Sequence, residues 1–169
     1  SVSRNGVITH IIVTGRDVTE RLQQERQLQA LASEQRALAD LISSALAHIP
    51  FAYLMKDALR AVESILLAQS ACIVSCEKGQ LILHAAWNME VRINQLDLRE
   101  EVAAASRGEV RILSPGHPLL LLSYAKDSPG IALPISSDGQ PHLMLVLFPP
   151  SHLVTEHEIR FLQGIANLL

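Results

Sequence analysis

The sequence predicts an α+β fold, in which an antiparallel sheet is flanked by helices and preceded by one long N-terminal helix. Three observations support this prediction. Residues 17–49 contain no proline or glycine and are rich in polar residues. Two pairs of short apolar segments are each joined by turn-forming residues, which is typical of hairpins. A capping box precedes the last apolar periodic segment, which indicates a closing helix.

The first residues predict a strand followed by a helix start. Asn5-Gly6 is a strong hairpin-turn signal, and the Val, Ile and Thr residues of 6–14 favour a strand. We expect the strand that leads into this turn to be missing, so that residues 1–14 are the last strand of an upstream domain. Asp17 is placed to cap the next helix, with Glu20 as its capping-box carboxylate.

The long helix carries an apolar stripe along one side. Positions spaced alternately three and four residues apart form a heptad pattern with one polar interruption: Leu28, Leu31, Gln35, Leu38, Ile42, Ala45 and Ile49. Such a stripe favours a partner helix in a second copy of the chain. The alternative is an ordinary amphipathic helix on its own domain, and the two halves of the helix can differ in this respect.

The middle of the chain alternates short predicted elements. Pro50 ends the long helix and a second helix follows over 53–67. A hairpin over 71–76 and 81–87 has apolar or small residues on both faces of its first strand, which is typical of a sheet covered on both sides. A helix over 96–107 is stopped by Gly108 and followed by a strand over 110–113. Residues 114–130 are rich in loop-forming residues.

The last third predicts a second hairpin and a closing helix. Strands over 131–135 and 143–148 flank a turn around Gly139, and Pro149-Pro150 ends the pair. Thr155 and Glu158 have the spacing of a capping box. The apolar positions that follow form a second seam, which we expect to continue beyond the last residue: Ile159, Leu162, Ala166 and Leu169.

Composition excludes several classes of protein. The chain has 169 residues, of which 49% are hydrophobic and 18% charged, so a folded core is expected. A net charge of −3 gives no electrostatic argument for nucleic acid. The longest aliphatic run, 119–122, is too short to span a membrane, and no signal peptide is recognisable. We therefore expect a cytoplasmic location, and the initial Ser1 suggests a piece of a longer protein.

The two cysteines are predicted to be free thiols. On one strand, the Cα atoms of Cys72 and Cys76 are about 13 Å apart, beyond the limit for a disulfide. Unpaired thiols suit a reducing compartment.

Two resemblances to known families follow from these residues. Asp17-Val18-Thr19-Glu20-Arg21 after a strand resembles the end of a PAS domain, where this motif begins the output helix. Gly130-Ile131-Ala132-Leu133-Pro134-Ile135, the strand 143–148 and the helix start at 155–158 resemble a GAF domain over about residues 37–169. The implied organisation is a PAS strand over 1–16, a coiled-coil linker over 17–36 and a GAF domain over 37–169.

The GAF resemblance implies a small-molecule pocket on the sheet face opposite the terminal helices. Four residues are candidates for contacting a ligand there: His84, Trp87, His117 and Tyr124. His84 would act as a hydrogen-bonding group or an axial haem ligand, with a core-edge role as the alternative, and Trp87 would close over the ligand or serve the core. The cofactor stays unknown. The phosphodiesterase cyclic-nucleotide signature and the cysteine needed for a bilin link are not found.

The sequence contains no recognisable motif of catalytic residues. The seven histidines form no metal-binding motif, so no metal is predicted. No GxSxG motif, P-loop or Cys-His pair of useful spacing is present.

Three classes of function remain. The first is a sensory relay, in which a homodimer passes a signal through its terminal helices, with Leu28, Leu31, Leu38 and Ile42 on one helix and Ile159, Leu162 and Leu169 on the other. Its parent would be a histidine kinase or a cyclic-di-GMP enzyme. The second is a structural dimeriser without a ligand. The third, a redox enzyme of the GAF fold, is disfavoured by the cysteine spacing.

Overall fold

The computed structural model describes residues 2–4, 7–10, 19–47, 49–77, 80–89, 103–104, 107–122, 127–137 and 140–169. By the contacts between its residues, the chain divides into two units, Ser1–Ala32 and Ser33–Leu169. The division falls within the long helix, so the boundaries expected at residues 16 and 36 stay predictions.

The first unit contains a short hairpin. Strands β1 (Val2–Arg4) and β2 (Val7–His10) pair antiparallel on either side of Asn5-Gly6. A strand therefore does lead into the turn, and the expectation that it is missing was wrong, because three residues of modest strand propensity pair across a strong turn signal. The predicted cap Asp17 and the end of the predicted strand, 11–14, lie outside the described residues.

The long helix α1 spans Thr19–Leu46 and ends in the second unit. The remaining elements follow in this order: α2 (Phe51–Ile65), β3 (Ser70–Glu77), β4 (Gln80–Trp87), β5 (Arg111–Leu113), a 3₁₀ helix (Pro118–Leu122), β6 (Gly130–Ser137), β7 (Gln140–Leu147) and α3 (Glu156–Leu168). Each bound that can be compared lies within a few residues of its prediction.

The strands of the second unit form one antiparallel sheet. Over the described residues its order is β4-β3-β7-β6-β5, so both predicted hairpins are present and β3 and β7 join them at the centre. The edge strand β5 pairs with β6 only through residues 130–132 of β6. Pro134 has no N–H to donate, and it lies beyond the residues of β6 that pair with β5. The α+β prediction is confirmed.

The two faces of the sheet are covered differently. One face packs on α1, α2 and α3 and forms the helix-side cluster. Phe148, just after β7, belongs to this cluster, and its buried sheet residues are Ala71, Ile73, Ala85, Ile131, Leu133, Ile135, Met144 and Val146. The other face forms the opposite cluster, which consists of Cys72, Val74, Leu113, Leu119, Leu120, Ala132, Leu143, Leu145 and Leu147. Alternate residues of β3, β6 and β7 thus serve opposite faces, as the two-residue period of a strand requires.

Two predicted helix boundaries are confirmed by their hydrogen bonds. Gly108 has a φ of 73° and the Glu109 N–H donates to the Ala104 carbonyl at 3.0 Å, which is the long bond of a Schellman stop. Most of the helix predicted over 96–107 lies outside the described residues. At α3, Thr155 and Glu158 form the predicted capping box.

No helix among the described residues has the length and apolar character that a membrane crossing requires.

Candidate functional site

His84 lies on the helix-bearing face of the sheet, because a β-bulge breaks the alternation of β4. Ile73 pairs with Ala85 and the next residue of β3, Val74, pairs with Leu83, so His84 is the extra residue. Beyond a bulge, a side chain does not keep the face that simple alternation predicts. The opposite face, where a ligand pocket was expected, therefore does not receive this imidazole.

His84 belongs to a small polar group at one end of the helix-bearing face. Its Nε2 and Ser75 Oγ share a hydrogen bond of 2.7 Å, and its ring centroid is 4.8 Å from that of His142. His142 pairs with Ile135, a member of the helix-side cluster, and its ring meets Phe51 at the start of α2 edge-on at 5.6 Å. The group thus links three strands to a helix.

Sequence reasoning missed His142 although a signal was present. His142 stands two residues before Met144 and four before Val146, so the strand period places all three on one face. Its side chain is buried, with 7% of its surface exposed. Burial lowers the pKa of His84, the nearby His142 lowers it further, and Glu77 acts in the opposite direction. The neutral imidazole is therefore favoured at this position.

Trp87 serves the core on the helix side. It pairs with Ala71, a buried residue of the helix-side cluster, and its half-buried ring packs against that cluster. Core packing, the alternative considered for this residue, is what the structure shows. A role in closing over a ligand on the opposite face finds no support in these contacts.

His117 is the one ligand candidate that the structure places near the opposite face. Its Nδ1 accepts a hydrogen bond of 3.3 Å from the Leu119 N–H, and its carbonyl accepts one from the Leu120 N–H at 2.9 Å. These bonds hold the start of the 3₁₀ helix, whose Leu119 and Leu120 are fully buried in the opposite cluster. Tyr124 lies outside the described residues, so the four candidates are not shown to converge.

The described part of the opposite face is mainly apolar, and buried Ser70, which pairs with Leu147, lies at its edge. The buried members of its cluster are aliphatic side chains and the thiol of Cys72. Burial raises the pKa of Cys72 to about 12, so this thiol is not a thiolate at neutral pH. Gly130 shows how closely the face is packed, since a Cβ there would lie 2.8 Å from Leu147 Cδ2. These residues offer a ligand apolar contacts rather than hydrogen bonds.

A groove of about 300 Å³ lies between the second half of α1 and α2. It is lined by Ala37, Asp40, Leu41, Ser44, Asp57, Arg60, Ala61 and Ser64. Arg60 and Asp57 form an ion pair of 3.0 Å along its α2 side. Small side chains at the helix contact explain the opening, because they leave space that larger residues would fill.

The residues predicted for the dimer seam fall into two groups. Leu28, Leu31 and Ile42 of α1 are exposed by 67%, 47% and 42%. Leu38 packs partly against the helix-side cluster. On α3, Leu162 is fully buried in that cluster, and Ile159 and Leu169 pack against it. The α3 seam is thus covered by its own sheet, which corrects the expectation that Leu162 faces a second chain.

The start of α3 is held by a connected set of hydrogen bonds. Glu158 Oε2 accepts from the Thr155 N–H at 2.8 Å and from Thr155 Oγ1 at 2.9 Å. His152 Nε2 donates to the other oxygen, Oε1, at 2.8 Å. The His152 ring stacks on Phe148 at 4.5 Å, so the cap is tied to the end of β7. Glu158 is only 9% exposed, and its contacts satisfy both oxygens.

A second histidine–carboxylate pair joins α3 to α1. His157 Nε2 donates to Glu34 Oε1 at 2.7 Å, across 123 positions of sequence. The side chain of Glu34 is 12% exposed, and that of His157 is 55% exposed. Sequence reasoning missed this pair because neither residue stands in a local motif. Within the part of the chain that the structure describes, no group of three or more His, Cys, Asp or Glu residues is arranged to hold a metal.

Comparison with known proteins relates this architecture to GAF domains. No protein-family model matches the sequence, and no curated protein sequence matches it. Solved structures do match. The GAF domain of a putative sensor histidine kinase from Pseudomonas syringae pv. tomato is 14% identical, with a TM-score of 0.57, over 86% of this chain and 88% of that one.

Two further structures with the same fold come from different kinds of protein. The phycoerythrobilin-bound GAF domain of a cyanobacterial phytochrome is 15% identical, with a TM-score of 0.63, over 80% of this chain and 91% of that one. The fRMsr of Staphylococcus aureus, in its reduced form, is 14% identical, with a TM-score of 0.58, over 78% and 91%. The chain therefore has the GAF fold, and function has to be argued from its own residues.

Proposed function

We propose that this chain is a sensory or regulatory GAF module of a cytoplasmic signalling protein, which acts as a homodimer and relays a conformational signal from α1 to α3. The observation that carries this proposal is the contrast between the two halves of α1. Leu28 and Leu31, three residues apart on the first half, are exposed by 67% and 47%. On the second half, Leu41 is 3% exposed and belongs to the domain core.

Exposed leucines at heptad spacing favour a second helix as their partner. A leucine that becomes fully buried contributes about 1.5–3 kcal/mol, so two heptad positions per chain give a substantial driving force. On the second half of α1, Leu38, Leu41 and Ala45 already pack in or against the core, so pairing between chains would mainly involve the first half. In this arrangement, a change in the crossing or register of paired α1 helices reaches the domain through residues 33–46.

The larger protein is proposed from two resemblances. Asp17-Val18-Thr19-Glu20-Arg21 suggests a preceding PAS domain. A GAF domain with this fold occurs in a putative sensor histidine kinase. A parent histidine kinase or cyclic-di-GMP enzyme is consistent with both observations.

The dimer is tested by changing the exposed leucines. We expect the chain to sediment as a dimer and the Leu28→Glu/Leu31→Glu double variant to sediment as a monomer, because charges at two core positions of a coiled coil cannot be buried together. Leu67→Glu is the matched control, since Leu67 is 78% exposed and lies outside α1. It should leave the dimer intact. A parent chain that sediments as a monomer at high micromolar concentration would refute the proposal.

A ligand-free structural dimeriser is the second candidate, and the aliphatic opposite cluster favours it. A native mass spectrum of the purified chain separates the two functions. A bound small molecule that accompanies the dimer supports the ligand-sensing form of the proposal, whereas an unliganded dimer supports the structural dimeriser.

A redox enzyme is less compatible with the cysteines. Both are free thiols, but Cys72 is fully buried and its pKa is raised to about 12. We expect a thiol reagent to modify half-buried Cys76 in the native protein and Cys72 only on unfolding. The Cys76→Ala variant isolates the Cys72 reaction. Rapid native modification of Cys72 would reopen the redox function.

A further inference from the structure

We propose that Glu34 and His157 form a latch that couples α1 directly to α3, so that movement of the entering helix reaches the leaving helix without passing through the sheet. This proposal rests on the proposed function, because it treats α1 as the helix that receives the signal and α3 as the helix that passes it on. The latch itself is a local contact, and its existence can be measured separately from dimerisation.

The Glu34 carboxylate has the burial expected of a positioning contact. Its side chain is 12% exposed, whereas that of His157 is 55% exposed, so the carboxylate is the shielded member of the pair. A buried carboxylate that loses its hydrogen-bond donor retains the cost of desolvation, so the pair resists separation. The His157 Nε2 donates to it at 2.7 Å, which is a short distance for such a bond.

A second contact lies further along the same two helices. A Cβ placed on Gly164 would be 3.6 and 3.7 Å from the two terminal carbons of Leu38, so the helices approach closely there. Leu38 follows Glu34 by one turn and Gly164 follows His157 by two turns. Both contacts occur in the same order along the two helices, which therefore run in the same direction at this point. A displacement of α1 along its axis would act on α3 along its own axis.

The start of α3 is anchored on its other side as well. Glu158 binds Thr155 and His152, and His152 stacks on Phe148. His157 and Glu158 are adjacent in sequence, so the latch to α1 and the tie to β7 act on the same turn of α3. That turn is consequently the point where movement of α1 would either shift α3 or break a hydrogen bond.

Amide hydrogen exchange on the full chain tests the latch. We expect Glu34→Ala to speed exchange of the amides of residues 158–162 on α3 about tenfold, and His157→Ala to do the same for residues 34–38 on α1. Each effect is measured on the helix that was not mutated, so a change in local helix propensity does not contribute. Coupling requires both effects. The double variant should exchange no faster than the single variants.

Two controls separate the latch from other contacts. His152→Ala removes the tie to β7, so it should speed exchange on α3 but not over residues 34–38. Glu156→Ala changes a carboxylate of α3 whose side chain is 91% exposed, and it should leave exchange over residues 34–38 of α1 unchanged. Unchanged exchange on α3 in Glu34→Ala, or on α1 in His157→Ala, would overturn the latch.

The same variants distinguish failure of the latch from failure of the relay. Sedimentation of Glu34→Ala and His157→Ala should show the oligomeric state of the parent chain, because neither residue belongs to the exposed leucine stripe. A monomeric parent chain with reciprocal exchange effects would retain the latch and refute the dimeric relay. A dimer without those effects would refute the latch alone.

Discussion

The two faces of the sheet differ in the chemistry that they bury. The helix-bearing face contains aliphatic residues together with Ser75 and His142, and half-buried His84 lies beside them. The described part of the opposite face contains mainly aliphatic residues, with buried Ser70 and one thiol of raised pKa. The two described imidazoles of the five-stranded sheet, His84 and His142, thus lie on the side of the helices, whereas His117 lies near the opposite face.

This difference shows which elements of the domain are joined through the histidines. The GAF resemblance predicts a ligand on the opposite face, but two of the contacts that the structure describes join a helix to a strand and a helix to a helix. His142 meets Phe51 of α2, and Glu34 meets His157. These contacts favour the proposed relay through helix position over the binding of a polar ligand.

The largest expected effect compares core truncations on the two faces. Leu133 of β6 faces the helices and Leu145 of β7 faces the opposite side, and both are fully buried. We expect Leu133→Ala and Leu145→Ala each to lower the free energy of unfolding by about 2–5 kcal/mol, measured by urea denaturation. A much smaller loss for Leu145→Ala would indicate a loosely packed opposite face. It would contradict the expectation that the two faces are packed equally closely.

An intermediate effect comes from the same substitution at two glycines. At Gly130 a new Cβ would lie 2.8 Å from Leu147 Cδ2 and 3.1 Å from the Val146 carbonyl oxygen, so Gly130→Ala should destabilise the chain by about 1–3 kcal/mol. At Gly164 the nearest atom is 3.6 Å away and the residue lies within α3. Gly164→Ala should stabilise by about 0.5–1 kcal/mol. Thermal unfolding of both variants checks the sign, and equal signs would contradict this account of the packing.

The smallest expected effect is a dependence of stability on pH. The folded state lowers the pKa of His84 below its usual 6.5, through burial and His142. The unfolded chain then binds the proton more readily, so this contribution to stability is present above about pH 6.5 and is lost as the pH falls through the folded pKa.

We therefore expect the stability of the parent chain to fall more steeply below pH 6.5 than that of His84→Gln, in urea denaturation at a series of pH values. Ser75, Glu77, His142 and Phe51 are present in both proteins, so the comparison isolates His84 together with its electrostatic interactions with His142 and Glu77. Parallel profiles would show that His84 is not responsible for the slope.

Local sequence patterns alone determined much of the fold. The capping box at Thr155 and Glu158 and the stop at Gly108 were predictable, because each depends on residues within one or two turns of the chain. The two central hairpins were predictable for the same reason, since strand period and turn residues are local signals.

Only the tertiary structure decided which face and which partner each functional side chain meets. A bulge in β4 turned His84 toward the helices, and pairing of β7 with both β3 and β6 brought His142 beside it. The Glu34–His157 pair joins residues 123 positions apart. Contacts of this kind depend on register and on the packing of distant elements, and a period of two or of 3.6 residues does not encode either.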